Sequence, residues 1–210
     1  MSDEPLPPGD LVDLLDWRRT VFELYARIRA NPDPRSAWQD WRATRAELFR
    51  THGQSPIEPA RRGSFPAPVY FDYDPAFRVL ATLEPAEPER YDIVSSGDAT
   101  FAFTRFAVAQ FSVGGQQRAL ECYWLEGYGG GLFLSFRDAT SGKETYGAGR
   151  YLFDTVKGAD MGMSEGKVVL DFNFAYNPSC AYDPAWVCPL TTPANRLDLE
   201  IRAGEQTPPK

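Results

Sequence analysis

The side chains best suited to binding or chemistry are Tyr146, Arg150, Asp171, Asn173, Tyr176, Asn177, Asn195 and Arg196, all in the last third of the chain. A guanidinium is a rigid fork of donors matched to carboxylate or phosphate, so Arg150 suits an anionic ligand, or equally a structural bridge to Asp171 or Glu144. Asp171 and Asn173 put a carboxylate and an amide two residues apart. They either meet a ligand or cap the backbone of the turn that follows. Asp138, Glu144, Asp171 and Glu205 also offer carboxylate pairs for general acid/base work, but turn carboxylates are so common that spacing alone selects none.

Other chemistries are constrained by what the chain holds. His52 is the only histidine, which excludes a multi-histidine metal site within one chain. Cys122, Cys180 and Cys188 lack the close paired spacing of zinc ribbons, so no metal and no cofactor are expected. Cys122 alternates with core positions and reads as a buried thiol. Cys180 and Cys188 share one loop and read as a buried thiol pair rather than a disulfide. A cysteine nucleophile would require His52 as its base, and therefore helices packed over that loop. Gly127-Tyr128-Gly129-Gly130-Gly131 has the glycines of a phosphate loop without the Lys-Ser/Thr or the helix that must follow, so it reads as a hairpin loop.

The elements that must position these residues are legible as a change of period. Leu11, Leu14, Leu15, Val21, Phe22, Leu24, Tyr25 and Ile28 recur at helical spacing behind a cap at Asp10, until Asn31-Pro32 ends the helix. Asp33-Pro34 starts a second helix, striped by Trp38, Trp41, Arg45, Leu48 and Phe49 and ended by Gly53. From Ser55 to Pro68 a Pro-, Gly- and Arg-rich strap follows. Beyond it the period is two, and strands are expected at 77–83, 100–113, 117–125, 131–136, 149–153, 167–174 and 197–201, with a tight turn at Val113-Gly114-Gly115-Gln116. Leu120, Cys122 and Trp124 share one face of their strand. Val169, Asp171 and Asn173 share a face opposite Val168, Leu170, Phe172 and Phe174.

Short connections without helices predict an α+β, mainly β fold: an antiparallel rolled sheet, either a partly open barrel or a sandwich, with the N-terminal αα-hairpin packed on it. The expected organisation is a disordered tail over 1–9, the helical hairpin over 10–53, a β domain over 54–205 and a disordered tail over 206–210, together one structural unit. The loop from Tyr176 to Ala194, with Pro178, Pro184, Pro189 and Pro193, exceeds the usual connection length and reads as a lid whose rings either seal the sheet's mouth or stack on a ligand.

Composition bounds the partners. The chain of 210 residues has a net charge of -7 and a sequence pI near 4.8, which argues against a nucleic-acid partner. No run approaches the roughly 18 apolar residues of a membrane span. The acidic, proline-rich start has no apolar signal core, and with three cysteines the expected compartment is the cytoplasm.

Phe136-Arg137-Asp138-Ala139-Thr140-Ser141-Gly142 with Glu144-Thr145-Tyr146, Gly149-Arg150-Tyr151, Asp171-Phe172-Asn173, Ala175-Tyr176-Asn177-Pro178, Cys180, Cys188-Pro189, Asn195-Arg196-Leu197 and Ala203-Gly204-Glu205 together resemble the domain-of-unknown-function family 1684 of bacteria and archaea. The resemblance spans roughly Trp17 to Glu205, with Ser55-Pro56 and Phe77-Arg78-Val79 in its weaker part. It implies a single-domain extent and no particular activity, cofactor or catalytic residue. Thr191-Thr192-Pro193-Ala194 departs from it, standing where the family carries prolines followed by an acidic residue.

The expected function is binding of a small polar or anionic molecule beneath the Tyr176–Ala194 loop. The alternatives are an enzyme of hydrolase or lyase type that uses a carboxylate such as Asp171 with Tyr146 or Arg150 as electrophilic partner, and a protein-interaction module built on Trp38, Trp41 and Phe49.

Overall fold

The structure, a computed structural model, describes residues 8–209. Helix α1 (Pro8–Ala30) and helix α2 (Pro34–Thr51) form the hairpin. Asp33 caps α2 by accepting the Arg35 N–H at 3.0 Å, with Pro34 in the first turn, where its missing N–H costs nothing. The helix stops one residue before the expected Gly53 region, at the extended His52, whose N–H bonds Leu48 O. Leu24, Tyr25 and Ile28 of α1 and Ala37, Trp38 and Trp41 of α2 are buried in the main core, whereas Leu11, Leu15 and Phe22 of the same stripe are exposed. Only the second half of α1 is packed on the sheet side. Of the tail expected over 1–9, residues 1–7 lie outside the described residues, and Pro8 and Gly9 belong to α1.

The strap carries a short helix α3 (Pro59–Arg62), and its Ile57 and Phe65 cover Leu48 and Phe49 in a satellite cluster. Seven strands follow: β1 (Arg78–Val94), β2 (Thr100–Val113), β3 (Gln116–Leu125), β4 (Leu132–Phe136), β5 (Arg150–Asp154), β6 (Met163–Ser164) and β7 (Lys167–Asp171). Their order is β5-β4-β3-β2-β1-β7-β6, every neighbouring pair antiparallel. The sheet is open, with β5 and β6 at its two edges, and does not close into a barrel. Gly114 and Gly115, at φ 59° and 73°, form the β2–β3 turn that positive φ demands.

Three expected strands differ from those observed, each for an identifiable reason. β1 runs on to Val94, past Pro85 and Pro88, because the register breaks between Pro85 and Glu89: Pro85 is the last residue paired before the break, opposite Ala107, and Pro88 falls inside it, where no ladder donor is required. The strand expected over 167–174 ends at Asp171, whose carboxylate accepts the Asn173 N–H at 3.0 Å and turns Phe172–Phe174 into a 3-10 turn. The segment 197–201 is not a strand. It lies beside the end of β4 through Leu197 N to Arg137 O at 2.8 Å and Ala139 N to Leu199 O at 3.0 Å. Within the tail expected over 206–210, Gln206 N bonds Val69 O at 2.8 Å and Thr207 N bonds Glu144 O at 2.9 Å, while Lys210 lies outside the described residues.

Both faces of the sheet are covered in part. Leu120 and Cys122 enter the main core, with Phe111, Phe136 and Phe172, beneath the helices, while Ile93, Phe103, Tyr123, Phe133 and Tyr151 form a second cluster. Trp124, on the Cys122 face, stays largely exposed against the edge of Phe106.

Gly204 marks where the C-terminal segment passes closest to the rest of the fold. At φ 76°, a Cβ there would lie 2.6 Å from both Phe172 O and Ala175 O, backbone atoms that cannot swing aside. Gly204→Ala is therefore expected to lower stability by about 2 kcal/mol or more in urea denaturation, through strain and overpacking together.

Candidate functional site

Arg150 opens β5 and is almost fully buried. Its Nη2 donates to Asp138 Oδ1 at 3.3 Å and to Ile201 O at 3.0 Å; its Nη1 donates to Ala203 O and, at 3.3 Å, to Glu205 O. Asp138 in turn accepts the Ile201 N–H and the Thr140 hydroxyl, each at 2.7 Å. Burial pulls the guanidinium down to about 10, against the pull of Asp138, so it remains charged at neutral pH. The bridge expected to Asp171 or Glu144 is thus made to Asp138 instead, and Glu144 pairs with Arg202 at 3.1 Å. Arg150 presents its donors to three carbonyls of the chain itself.

Glu205 is the next node. Fully buried, it accepts from Arg45 Nη2 at 3.0 Å, from Asn177 N at 2.6 Å and from the Tyr182 hydroxyl. Burial is the largest single influence on Arg45 and would lower it, but Glu205 together with Tyr70 and Tyr182 outweighs it, holding the guanidinium above its ordinary value. Arg45 lies about 5 Å from the rings of Trp41, Phe49 and Tyr176. Asn177 Nδ2 adds a bond to Gln206 O at 2.7 Å, and Tyr176 pairs through its backbone with Tyr151.

Asn195 serves the sheet. β3 and β4 pair only at Tyr123–Phe133 and Trp124–Leu132, and where they part Asn195 accepts from Glu121 N at 2.7 Å and donates to Glu121 O and Ser135 O, each at 2.9 Å. Arg196 bridges to Arg137 through backbone and its side chain is exposed. Tyr146 OH lies 3.9 Å from Cys180 Sγ. Tyr182, in the loop expected to be a lid, stacks edge-on against Phe49 and Phe65, sealing the hairpin to the loop. Trp38, Trp41 and Phe49 are buried by the chain's own core, so they form no surface for a partner.

Asp171 stands apart from this network. Its Oδ1 accepts from the N–H and Nδ2 of Asn173 at 3.0 and 2.9 Å, and Asn173 is itself tied to Asp74 N and O and to Trp38 Nε1. Among the described residues, Asp171 Oδ2 has no hydrogen-bond partner; nor does Arg78 Nη1, which lies 3.9 Å away, and both atoms are buried. The β1–β7 register makes them direct partners. Both residues line a cleft of about 200 Å³ closed by Arg29 and Asn31 at the end of the first helix, Pro34, and the Met161–Ser164 hairpin. Burial raises the Asp171 carboxyl to about 6, partly offset by its bonds to Asn173 and by Arg78.

The expected site residues therefore do not converge. Arg150, Asn177 and Asn195 are committed to holding the chain's own backbone, Tyr146 sits by Cys180, and the Asp171 cleft contains no residue of the 176–194 loop. That loop borders a different, open cleft of about 650 Å³, with Arg61, Tyr146, Tyr182 and Asp183 on its walls. Arg78 is the functional candidate that sequence reasoning did not single out. The signal that finds it, its pairing opposite Asp171, exists only once the register is known.

This architecture defines a mainly β α+β domain whose C-terminal segment is stapled to an open antiparallel sheet by a buried arginine. The chain belongs to the family described as protein of unknown function (DUF1684), whose model matches residues 64–206. It is similar to an uncharacterised protein of Haloarcula marismortui solved by solution NMR, at 37% identity over 82% of this chain and 93% of that one, with a TM-score of 0.61. No curated protein matches.

Removing the staple should act on the fold. Arg150→Met leaves Asp138 charged and buried without its partner and frees three carbonyls, so a loss of about 3–5 kcal/mol is expected in urea denaturation. A binding residue free of structural duty would leave the midpoint nearly unchanged.

Proposed function

We propose that this protein binds a small polar molecule in the Arg78–Asp171 cleft. The observation that carries this reading is the pair of buried, unpartnered polar atoms, Asp171 Oδ2 and Arg78 Nη1, 3.9 Å apart at the wall of a cavity. Leaving a buried charged group unsatisfied costs on the order of 1–3 kcal/mol, a cost that an incoming ligand recovers. A hydroxyl suits the gap, because it can donate to the carboxylate while accepting from the guanidinium. Arg78 and Arg29 on the same walls favour a ligand that also carries an anionic group. At about 200 Å³ the cleft is smaller than the roughly 300 Å³ at which drug-sized sites begin, which limits the occupant to a small hydroxylated molecule or hydroxy acid.

One observation favours a second reading, in which the cleft is catalytic. A buried carboxyl raised to about 6 beside a guanidinium is suited to general acid/base work of hydrolase or lyase type, with Arg78 in the electrophilic role first assigned to Tyr146 or Arg150. The unpaired thiols of Cys122, Cys180 and Cys188 support action in a reducing compartment, the cytoplasm. No described helix is long and apolar enough to cross a membrane.

The test is a titration with small diols and hydroxy acids, followed by amide chemical shifts. Saturable shifts are expected at Arg78, Gly162, Met163 and Asp171, with affinity falling roughly tenfold or more in Asp171→Asn and in Arg78→Met. Because the acceptor is the ionised carboxylate, binding should weaken as pH falls below about 6. Shifts confined to the 176–194 loop, or equal affinity in both variants, would overturn the proposal.

A further inference from the structure

Asp154 ends β5, where the register sets it opposite Phe133 of β4. The chain then turns sharply: Thr155–Lys157 form a 3-10 turn, and Asp154 and Ala159 close it by exchanging two backbone bonds of 3.0 Å. Gly158 of this turn passes against the backbone of Phe22, which seats the turn on α1. Three residues on, Lys157 Nζ reaches back to Asp154 Oδ2 at 3.3 Å. The pair is unequal, since Asp154 is buried whereas the Lys157 side chain is 55% exposed.

Asp154 is also poorly served for a buried carboxylate. Glu205 accepts from Arg45, Asn177 and Tyr182, Asp138 from Arg150, Thr140 and Ile201, and Asp171 from Asn173. Among the described residues the Asp154 carboxylate has the Lys157 ammonium and nothing else. Two cavities of about 90 Å³ each meet at this pair, which alone lines both. The first, against the helical hairpin, is polar and aromatic, with Tyr25, Arg45, Tyr176 and Asn177 on its walls. Asn177 Oδ1, an acceptor, and Arg45 Nε, a donor, are buried atoms without a partner among the described residues. The second cavity is apolar, walled by Phe101, Phe103, Leu125, Leu132, Phe133 and Val187. Neither shares a lining residue with the Arg78–Asp171 cleft.

We propose that this junction is a second binding site, for a free α-amino acid with an apolar side chain: the ammonium on Asp154, the carboxylate on Lys157 and the side chain in the apolar cavity. A head group of both charges is what the pair selects. A carboxylate alone would draw Lys157 away and leave Asp154 buried and unpaired, a costly loss. An amine alone would satisfy Asp154 and strand Lys157, a smaller loss because that side chain is exposed. A zwitterion replaces the bond between the two residues with one to each. Asn177 and Arg45 supply, in the same cavity, an unspent acceptor for the ammonium and an unspent donor for the carboxylate. Each cavity corresponds to about three waters at roughly 30 Å³ apiece, room for one head group and one side chain and not for a peptide.

The experiment titrates the full chain with leucine at neutral pH and follows amide chemical shifts. Saturable shifts are expected at Phe133, Asp154, Lys157 and Val187. Glycine, which lacks the side chain, and isoamylamine and isocaproate, which each lack one charge, should bind at least roughly tenfold more weakly. Asp154→Asn should lose leucine affinity to the same extent. Lys157→Met, at an exposed side chain, should weaken leucine binding and strengthen that of isoamylamine, a reversal that mere loss of structure does not produce. The wild-type titrations decide if a variant fails to fold. Isoamylamine bound as tightly as leucine would make this an amine site, and glycine bound as tightly would leave the apolar cavity unused; either overturns the proposal, as would the absence of saturable shifts or shifts confined to Arg78 and Asp171.

Discussion

The fold depends on one buried guanidinium. Placing Arg150 in the core is unfavourable unless nearly every donor is met, and Asp138 with the carbonyls of Ile201, Ala203 and Glu205 meets all but Nε. Those carbonyls belong to a segment that pairs with no full strand, so the arginine supplies the partners that a sheet ladder would have supplied. With residues 201–205 fixed in this way, Glu205 is aimed at Arg45 of α2, Asn177 and Tyr182. A single staple thereby joins β5, the C-terminal segment, the helical hairpin and the long loop.

What the residue order revealed and what it concealed follow from the range of the interactions. Asp33-Pro34 and Gly114-Gly115 act within a few residues, and the α2 start and the β2–β3 turn appear where local rules put them. The bulge that carries β1 across Pro85 and Pro88 depends on a partner strand more than ten residues away, and it was not legible. The same holds for 197–201, where Leu197, Leu199 and Ile201 alternate as a strand would, yet the carbonyl of Ile201 goes to a side chain. Alternation also understated burial in β3: Tyr123, opposite Cys122, is buried as well because the second face has its own cluster.

The candidate site was legible in composition and not in arrangement. The density of Asp, Asn, Arg and Tyr in the last third was real, but most of it satisfies backbone groups of irregular chain, a use that leaves the same trace in sequence as ligand binding. The distinction lies in which polar atoms remain unspent. Asn195 uses both ends of its amide, whereas Asp171 keeps one oxygen and Arg78 one nitrogen without partners.

The central claim is that Asp171 is a buried carboxyl with an uncommitted oxygen beside, and not closed onto, Arg78. An NMR pH titration of the Asp171 side-chain carboxyl tests this directly. A midpoint near 6 is the predicted result, since burial then outweighs the bonds from Asn173 and the charge of Arg78. A midpoint at or below the ordinary 3.8 would mean that Arg78 closes onto the carboxylate as an ion pair, leaving no free pair for a ligand, and would contradict the account.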